Sequence, residues 1–388
     1  MRQDVITNAN NATRQQAPYI IVKRSSARRL WRKVHLYIAL TVGFMFAFSG
    51  LTGSSLVFYQ DIDELLNPAV LTVASGGESA SLTDIVTAAK IAMPDQAKLL
   101  RFYLPRHPQA AMKLRFSLAQ ENSVALFDVM VNPFTAEVLG QREWGGYLMS
   151  FIYKLHYTLM LGDEGKTIIG ILGLVLFCSL FSGVYLWWPK WSKFFQALRF
   201  KRRANGLRYI YDLHKTFGIY VAVVLIAIAF SGVYMIFPHY VKPVVGWVSP
   251  LTNVAPPALS IDSEVGVARL SVDEVSTIAK NLFPQARLQR VYFPATPKEA
   301  YRVIMRQPGE ARKTSGATQI WISPYDGNVL SVQQPQIMSG GDTFITWMFP
   351  LHNGEAFGMA GRIVVFFTGF ALVGLYVTGL MMWWRKRK

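Results

Sequence analysis

The chain has 388 residues, 52% hydrophobic and only 16% charged, against about 25% charged in a typical soluble domain, which excludes an ordinary soluble globular protein. The formal net charge of +17 raises nucleic acid as a partner, but residues 1–33, 189–209 and 385–388 hold 19 of the 40 Lys and Arg residues and one acid, Asp4. Basic residues that abut apolar runs are read as membrane-flanking, so a nucleic-acid role is set aside. A single cysteine, Cys178, and no CxxCH exclude an intrachain disulfide and covalent c-type haem attachment.

In chain order, residues 1–33 read as a cytoplasmic segment whose Arg28, Arg29, Arg32 and Lys33 precede a first membrane span over 34–58. That apolar run is too long for a signal-peptide core and is read as a retained anchor. Residues 59–146 read as an outer α+β domain. A helix in "SLTDIVTAAKIAMP" ends at Pro94, strand-like runs follow, and Asn132-Pro133-Phe134-Thr135 marks a turn. An outer segment with His156 and a second span occupy 147–188, and a basic cytoplasmic loop covers 189–209. The third span is 210–237. A second outer α+β domain covers 238–342, with a helix in "SVDEVSTIAKNLFP" ending at Pro284 and a turn over Ser323-Pro324-Tyr325-Asp326-Gly327. An outer segment with His352 and the fourth span fill 343–384, and 385–388 is a cytoplasmic tail. Each span approaches the ~20 apolar residues needed to cross ~30 Å of hydrocarbon. The basic segments fix both termini and the middle loop as cytoplasmic, and "KFFQALRFKRR" suits contact with anionic lipid.

The second half repeats the plan of the first. "LHYTLMLGDEGKTIIG" (155–170) and "LHNGEAFGMAGRIVVF" (351–366) place His156, Gly162, Gly165 and Lys166 in register with His352, Gly358, Gly361 and Arg362. Downstream, Gly173 answers Gly369, Ser182-Gly183 answers Thr378-Gly379, and Trp187-Trp188 answers Trp383-Trp384. The outer domains echo each other in "QAKLLRFYLPRHPQAAMKLRFSL" and "QARLQRVYFPATPKEAYRVIMRQ". The expected fold class is therefore an α-helical membrane protein, with four spans from a tandem duplication and two outer α+β domains. A unit of two spans repeats with unchanged orientation, about an axis along the membrane normal, so equivalent residues share a depth.

His35 and His214 start the first and third spans on the cytoplasmic side. Their distances to Ser49-Gly50 and Ser231-Gly232 differ by about one helical turn. His156 and His352 form the outer pair. Facing neutral imidazoles suit axial ligation of haem iron between helices, with Gly43, Gly218, Gly173 and Gly369 allowing a flat macrocycle near the backbone. The other reading is interfacial histidines with glycines that serve helix packing alone. His107 and His239 lack counterparts and are placed outside the shared site, His239 being the reserve outer ligand. The Trp-Trp pairs read as interfacial anchors. Asp163-Glu164 and Asp61, Asp63 and Glu64 are placed on solvated loop edges. No nucleophile–His–acid set, Walker loop or dinucleotide fingerprint occurs.

The LH-x5-G-x2-G-[KR] entry, the S/T-G…WW exit and the "NPFTAEVLG" turn resemble the PepSY-associated transmembrane family of iron-regulated membrane proteins, over about 30–388. Members similar to this chain include inner-membrane ferric-siderophore reductases of the ferrioxamine-reductase type. The resemblance implies PepSY-like periplasmic domains and haem b, two groups in number, ligated by His35 and His214 on the cytoplasmic side and by His156 and His352 on the periplasmic side. It also implies reduction of ferric siderophore iron in the periplasm. With no flavin or nicotinamide motif, the electron donor must be separate, a quinol or a cytoplasmic reductase. Two other functions stay open at this point. One is a non-enzymatic envelope protein whose PepSY-like domains bind and regulate a peptide or protease. The other is a transporter of chelated iron, which the duplication favours and the lack of charge within the spans opposes.

Overall fold

The computed structural model describes residues 24–74, 76–121, 123–199, 206–252 and 268–387. Of the segments expected to be cytoplasmic, 1–23, 200–205 and Lys388 lie outside the described residues, as does 253–267 of the second outer domain. The first half runs α1 (Arg24–Thr41), α2 (Gly43–Val57), α3 (Tyr59–Leu66), α4 (Pro68–Leu71), α5 (Leu82–Ile91), β1 (Lys98–Tyr103), β2 (Met112–Gln120), β3 (Ser123–Val131), β4 (Val138–Glu143), α6 (Leu148–Thr158) and α7 (Gly162–Trp187). After the short α8 (Phe194–Ala197) come α9 (Leu207–Ile236), α10 (Pro238–Val248), α11 (Val272–Leu282), β5 (Arg287–Tyr292), β6 (Tyr301–Arg306), β7 (Thr318–Ile322), β8 (Val329–Gln333), α12 (Gly340–Asn353) and α13 (Gly358–Arg385).

The chain is a multi-pass membrane protein. α7, α9 and the helical stretch Glu355–Arg385 are each long and apolar enough to span a bilayer. The first span is not the single helix expected over 34–58: α1 and α2 meet at a 62° bend. Val42 at the break has φ −118° and ψ 0°, an opened right-handed turn. No proline causes the bend. Gly43 instead starts α2 against the Tyr376 ring, where a Cβ would stand 2.7 Å from the ring edge. Phe46 of α2, Leu225 of α9 and Leu372 of α13 form the bundle centre. α2 and α13 approach closely because Gly50 and Gly369 face each other, and Ser54 Oγ donates to the Phe366 carbonyl at 2.6 Å. Close approach through small residues is how helices gain packing in lipid, where burial of apolar surface supplies little.

All eight strands join one antiparallel sheet, ordered β4-β3-β2-β1-β5-β6-β7-β8. The two outer units, expected as separate domains, are thus fused edge to edge at β1 and β5. The central register is self-complementary. Arg101 pairs with Tyr292, Phe102 with Val291 and Tyr103 with Arg290. Phe102 and Val291 hold the same place in the two echoing sequences. Fusion removes one exposed edge from each unit, which a four-stranded sheet would otherwise leave open to foreign strands.

Strand alternation gives the sheet two unlike faces. One face packs Leu114, Val129, Val303 and Ile320 against Ile85 of α5 and Val275 of α11. Ser81 and Ser271 cap those helices, the latter in a capping box with Glu274. Asp273 of α11 accepts from the Leu82 and Thr83 amides and ties the two units together. The opposite face carries Arg101, Tyr103, Lys113, Arg115, Asp128, Arg290, Tyr292 and Arg302.

Asp63 departs from the expected solvated edge. It is buried and takes both terminal nitrogens of Arg142, at 3.0 and 2.9 Å. Asp61 and Glu64 likewise pair with Arg106, and Asp61 also with Arg362. Asp163 and Glu164 are exposed in the first turn of α7, where acids complement the helix dipole.

Asp128 is fully buried and bridges Arg115 at 2.6 and 2.7 Å. Burial alone would raise its pKa, but Lys113, Arg115 and Arg142 together hold the carboxyl below its ordinary value. Its stabilising effect is therefore present above the unfolded-state pKa and is lost as pH falls through the lower folded value. Asp128→Asn should cost about 3–5 kcal/mol, the usual result of stranding one partner of a buried pair. Denaturant unfolding of the detergent-solubilised protein reads this. The variant should also lose part of the acid-side decline of stability, and equal stability of the two proteins at neutral pH would contradict the assignment.

Candidate functional site

The four paired histidines come together two by two. The His35 and His214 rings, on α1 and α9, lie 6.5 Å apart between centroids. The His156 and His352 rings lie 6.3 Å apart. The outer pair does not sit on the long spanning helices but on α6 and α12, which precede them. α6 ends at Leu159 in a left-handed conformation and α12 ends at Gly354 in the same one. Each is followed by a turn that starts the next helix at a positive-φ glycine, Gly162 or Gly358. Gly165 and Gly361 press against the carbonyls of Thr158 and Gly354, so the shared Gly-x-x-Gly spacing is the geometry of the turn.

Each ring rests in the same kind of seat on a neighbouring helix. His35 Nδ1 lies 2.8 Å from Ser182 Oγ, His214 Nδ1 2.8 Å from Thr378 Oγ1, His156 Nδ1 3.0 Å from Thr52 Oγ1, and His352 Nδ1 3.3 Å from Ser231 Oγ. Three residues before each hydroxyl, a backbone carbonyl also takes the Nδ1 hydrogen: Ser179, Leu375, Ser49 and Ile228. One residue after each hydroxyl stands a glycine, Gly183, Gly379, Gly53 or Gly232, whose missing side chain leaves room for the ring Cε1. The hydroxyls donate to carbonyls of their own helices, Ser179, Gly374, Phe48 and Ala227. They therefore accept from Nδ1–H. A carbonyl can only accept, so the tautomer follows: hydrogen on Nδ1, lone pair on Nε2.

This corrects the inner-pair comparison. The seat in the first span is Thr52-Gly53, one turn beyond Ser49-Gly50. His35 to Thr52 and His214 to Ser231 are then both seventeen residues, and His156 to Ser182 and His352 to Thr378 both twenty-six. Of the glycines expected near the ligands, Gly173 and Gly369 line the same cavity as His156 and His352, and all four also make close helix contacts. Gly43 meets Tyr376, Gly173 meets Val233, Gly218 meets Leu375, and Gly369 meets Gly50 and Ser54. His107 is bonded to Glu64 at 3.0 Å, and His239 lies against the Tyr240 ring. Neither joins a pair.

A metal–imidazole bond is about 2 Å, and the ring centre lies roughly one bond length further. Two rings aimed at one ion through Nε2 therefore have centroids about 6 Å apart, as both pairs do. A hydrogen-bonded Nδ1–H is also how proteins orient metal-binding imidazoles. Among the described residues no group of three or more His, Cys, Asp and Glu could hold a bare ion. Two imidazoles with no further donor suit an iron that brings its own equatorial ligands. The outer pair opens on a cavity of about 480 Å³ between the helices, walled by Phe46, Leu176, Leu225 and Leu372, with Tyr153 and Arg312 at its outer end. That size and apolar lining fall within the range of cofactor pockets, about 300–1,000 Å³.

The sequence profile of the PepSY-associated TM region matches residues 32–386. No curated protein matches the chain.

Proposed function

The chain belongs to the PepSY-associated TM family, and from that premise and the two seated histidine pairs we propose that it is an inner-membrane b-type haem protein that carries electrons to siderophore-bound ferric iron. In this reading the chain is a tandem duplication with both termini cytoplasmic and the sheet in the periplasm, an orientation supported by the basic segments flanking the spans. His35 and His214 would hold a haem near the cytoplasmic face, and His156 and His352 another near the periplasmic face. The bound group supplies reversible one-electron chemistry.

The observation that carries the reading is the fourfold seat. Each hydroxyl and carbonyl holds one imidazole in the tautomer that leaves Nε2 free, so the chain is preorganised for two-imidazole ligation at two depths. The apolar helices around the outer pair exclude water from the iron site and so influence its potential. The chain supplies no flavin or nicotinamide fingerprint, which leaves electron donation to a quinol or a cytoplasmic reductase. One electron converts the chelated Fe(III) to Fe(II), which the hard oxygen donors of a siderophore hold less strongly.

The test begins with the absorption spectrum. Haem-replete protein should show low-spin, six-coordinate b haem. Protein reduced beforehand and mixed anaerobically with a ferric siderophore should re-oxidise and release Fe(II), trapped by a ferrous chelator. Absence of a Soret band would overturn the haem assignment and leave a peptide- or protease-binding envelope protein in front. Haem that ignores ferric hydroxamates and catecholates alike would remove the substrate class.

A further inference from the structure

The sheet face turned away from α5 and α11 is strongly basic and part-buried. Arg101 and Arg290 hold equivalent places on the central strands, each beside the tyrosine of the other unit. The Arg101 guanidinium lies 5.3 Å from the Tyr292 ring, Arg290 4.5 Å from Tyr103, Arg302 4.0 Å from Tyr292, and the Lys113 ammonium 4.5 Å from Tyr103. Asp128 is the carboxylate of this face, and it is already held by Arg115. Among the described residues no carboxylate lies within ion-pair reach of Arg101, Arg290, Arg302 or Arg312. The Nε atoms of all four are buried without a hydrogen-bond partner.

Part-buried cations without counter-charge repel one another and are costly unless an anion joins them. The surroundings register this field. Burial would raise the Tyr292 phenol, yet Arg290, Arg101 and Arg302 bring it below its ordinary value. Burial lowers the Arg312 guanidinium, the Glu355 carboxylate opposes this, and Arg290 presses it lower again. The basic face is also continuous with the outer histidine site. Arg115 stacks on Trp144 at 4.1 Å, Trp144 packs on Tyr153 at 5.4 Å, and Tyr153 and Arg312 both line the cavity that holds His156 and His352.

We propose that this arginine–tyrosine face, centred on Arg101, Arg290 and Arg302, is the docking site for the iron chelate, and that it selects polyanionic, catecholate-type chelates over neutral or cationic hydroxamates. The inference rests on the reductase reading above and deepens it. Guanidinium groups donate forked hydrogen bonds to anionic oxygens, and their planes and the tyrosine rings stack on the flat catechol rings. A neutral hydroxamate chelate would leave the unpaired cations uncompensated.

Gallium(III) chelates test this, because they bind as ferric ones do but accept no electron. With the full-length, haem-loaded protein in detergent, equilibrium dialysis should show an anionic gallium tris-catecholate binding about tenfold or more tighter than a neutral gallium hydroxamate. That preference should weaken as salt rises. Arg101→Gln with Arg290→Gln should lose about tenfold in catecholate affinity while leaving the haem spectrum unchanged. Arg302→Gln alone serves where the double variant does not fold. Equal affinity for the two chelates overturns the proposal. So does loss of the outer haem component in the arginine variants with unaltered chelate binding, which would assign the arginines to the haem carboxylates. Ferric reduction without charge preference sinks this inference and spares the reductase reading. Tight catecholate binding without iron reduction does the opposite.

Discussion

In the haem-loaded protein, His156→Ala and His352→Ala should each abolish the same one of two spectral components, and His35→Ala and His214→Ala should each abolish the other. The basis is geometric. Each pair has one member from each half of the chain, and the centroid separations of 6.3 and 6.5 Å leave room for one ion per pair. Removing one imidazole takes away one of two protein ligands, so low-spin six-coordination at that depth should be lost nearly completely. Added imidazole should restore it in the alanine variants, because the space vacated is the size of the ring. A double variant, His156→Ala with His214→Ala, should lose both components. Redox titration followed by absorbance separates the two. Loss of one shared component in His35→Ala and His352→Ala, with the other spared, would disprove the pairing.

The glycine seats give the second large effect, graded in advance by the clearance at each ring. A Cβ at position 53 would stand 2.9 Å from His156 Cε1, and at position 232 it would stand 3.1 Å from His352 Cε1. At 183 and 379 the distances to His35 and His214 are 3.4 and 3.5 Å, ordinary contact. Gly53→Ala should therefore displace its histidine, Gly232→Ala should strain the site, and Gly183→Ala and Gly379→Ala should be nearly silent. Overpacking of this kind costs about 1–3 kcal/mol, enough to lower occupancy of the outer site by roughly one to two orders of magnitude. Haem content per chain, measured after purification under limiting haem, reads the series. A larger loss in Gly183→Ala than in Gly53→Ala would contradict the seats.

The outer histidines were legible in the sequence because two sixteen-residue stretches match in register, and their Gly-x-x-Gly spacing belongs to a turn that tolerates no slippage. The Thr52-Gly53 seat of His156 was obscured by Ser49-Gly50, which imitates Ser231-Gly232 one turn too early. Ser49 does contribute, but through its carbonyl, which no side-chain pattern discloses. The bend at Val42 was hidden for a related reason: no proline marks it, and the Tyr376 ring that Gly43 meets lies more than three hundred residues away. The strands and turns of each outer unit followed from local chemistry. Their fusion into one sheet did not, since pairing of Phe102 with Val291 is a long-range choice between edges that look alike in composition. Asp63 was misplaced because its partner Arg142 is distant in sequence, and an acid beside two other acids reads locally as solvated.

The crossing of the halves has a consequence for the order of events during synthesis. The first half can present His35 on the Ser182 seat of α7, and His156 on the Thr52 seat of α2, as soon as α7 has entered the bilayer. Neither imidazole has its opposite number then. His214 emerges with α9 but remains unseated until Thr378 of α13 has been translated. His352 appears only slightly earlier. The nascent chain therefore holds His35 without its opposite number until α9 has emerged, and His156 without its own until α12 has. On the proposed function, two-imidazole ligation therefore waits for α12 at the outer site and for the α13 seat at the inner one.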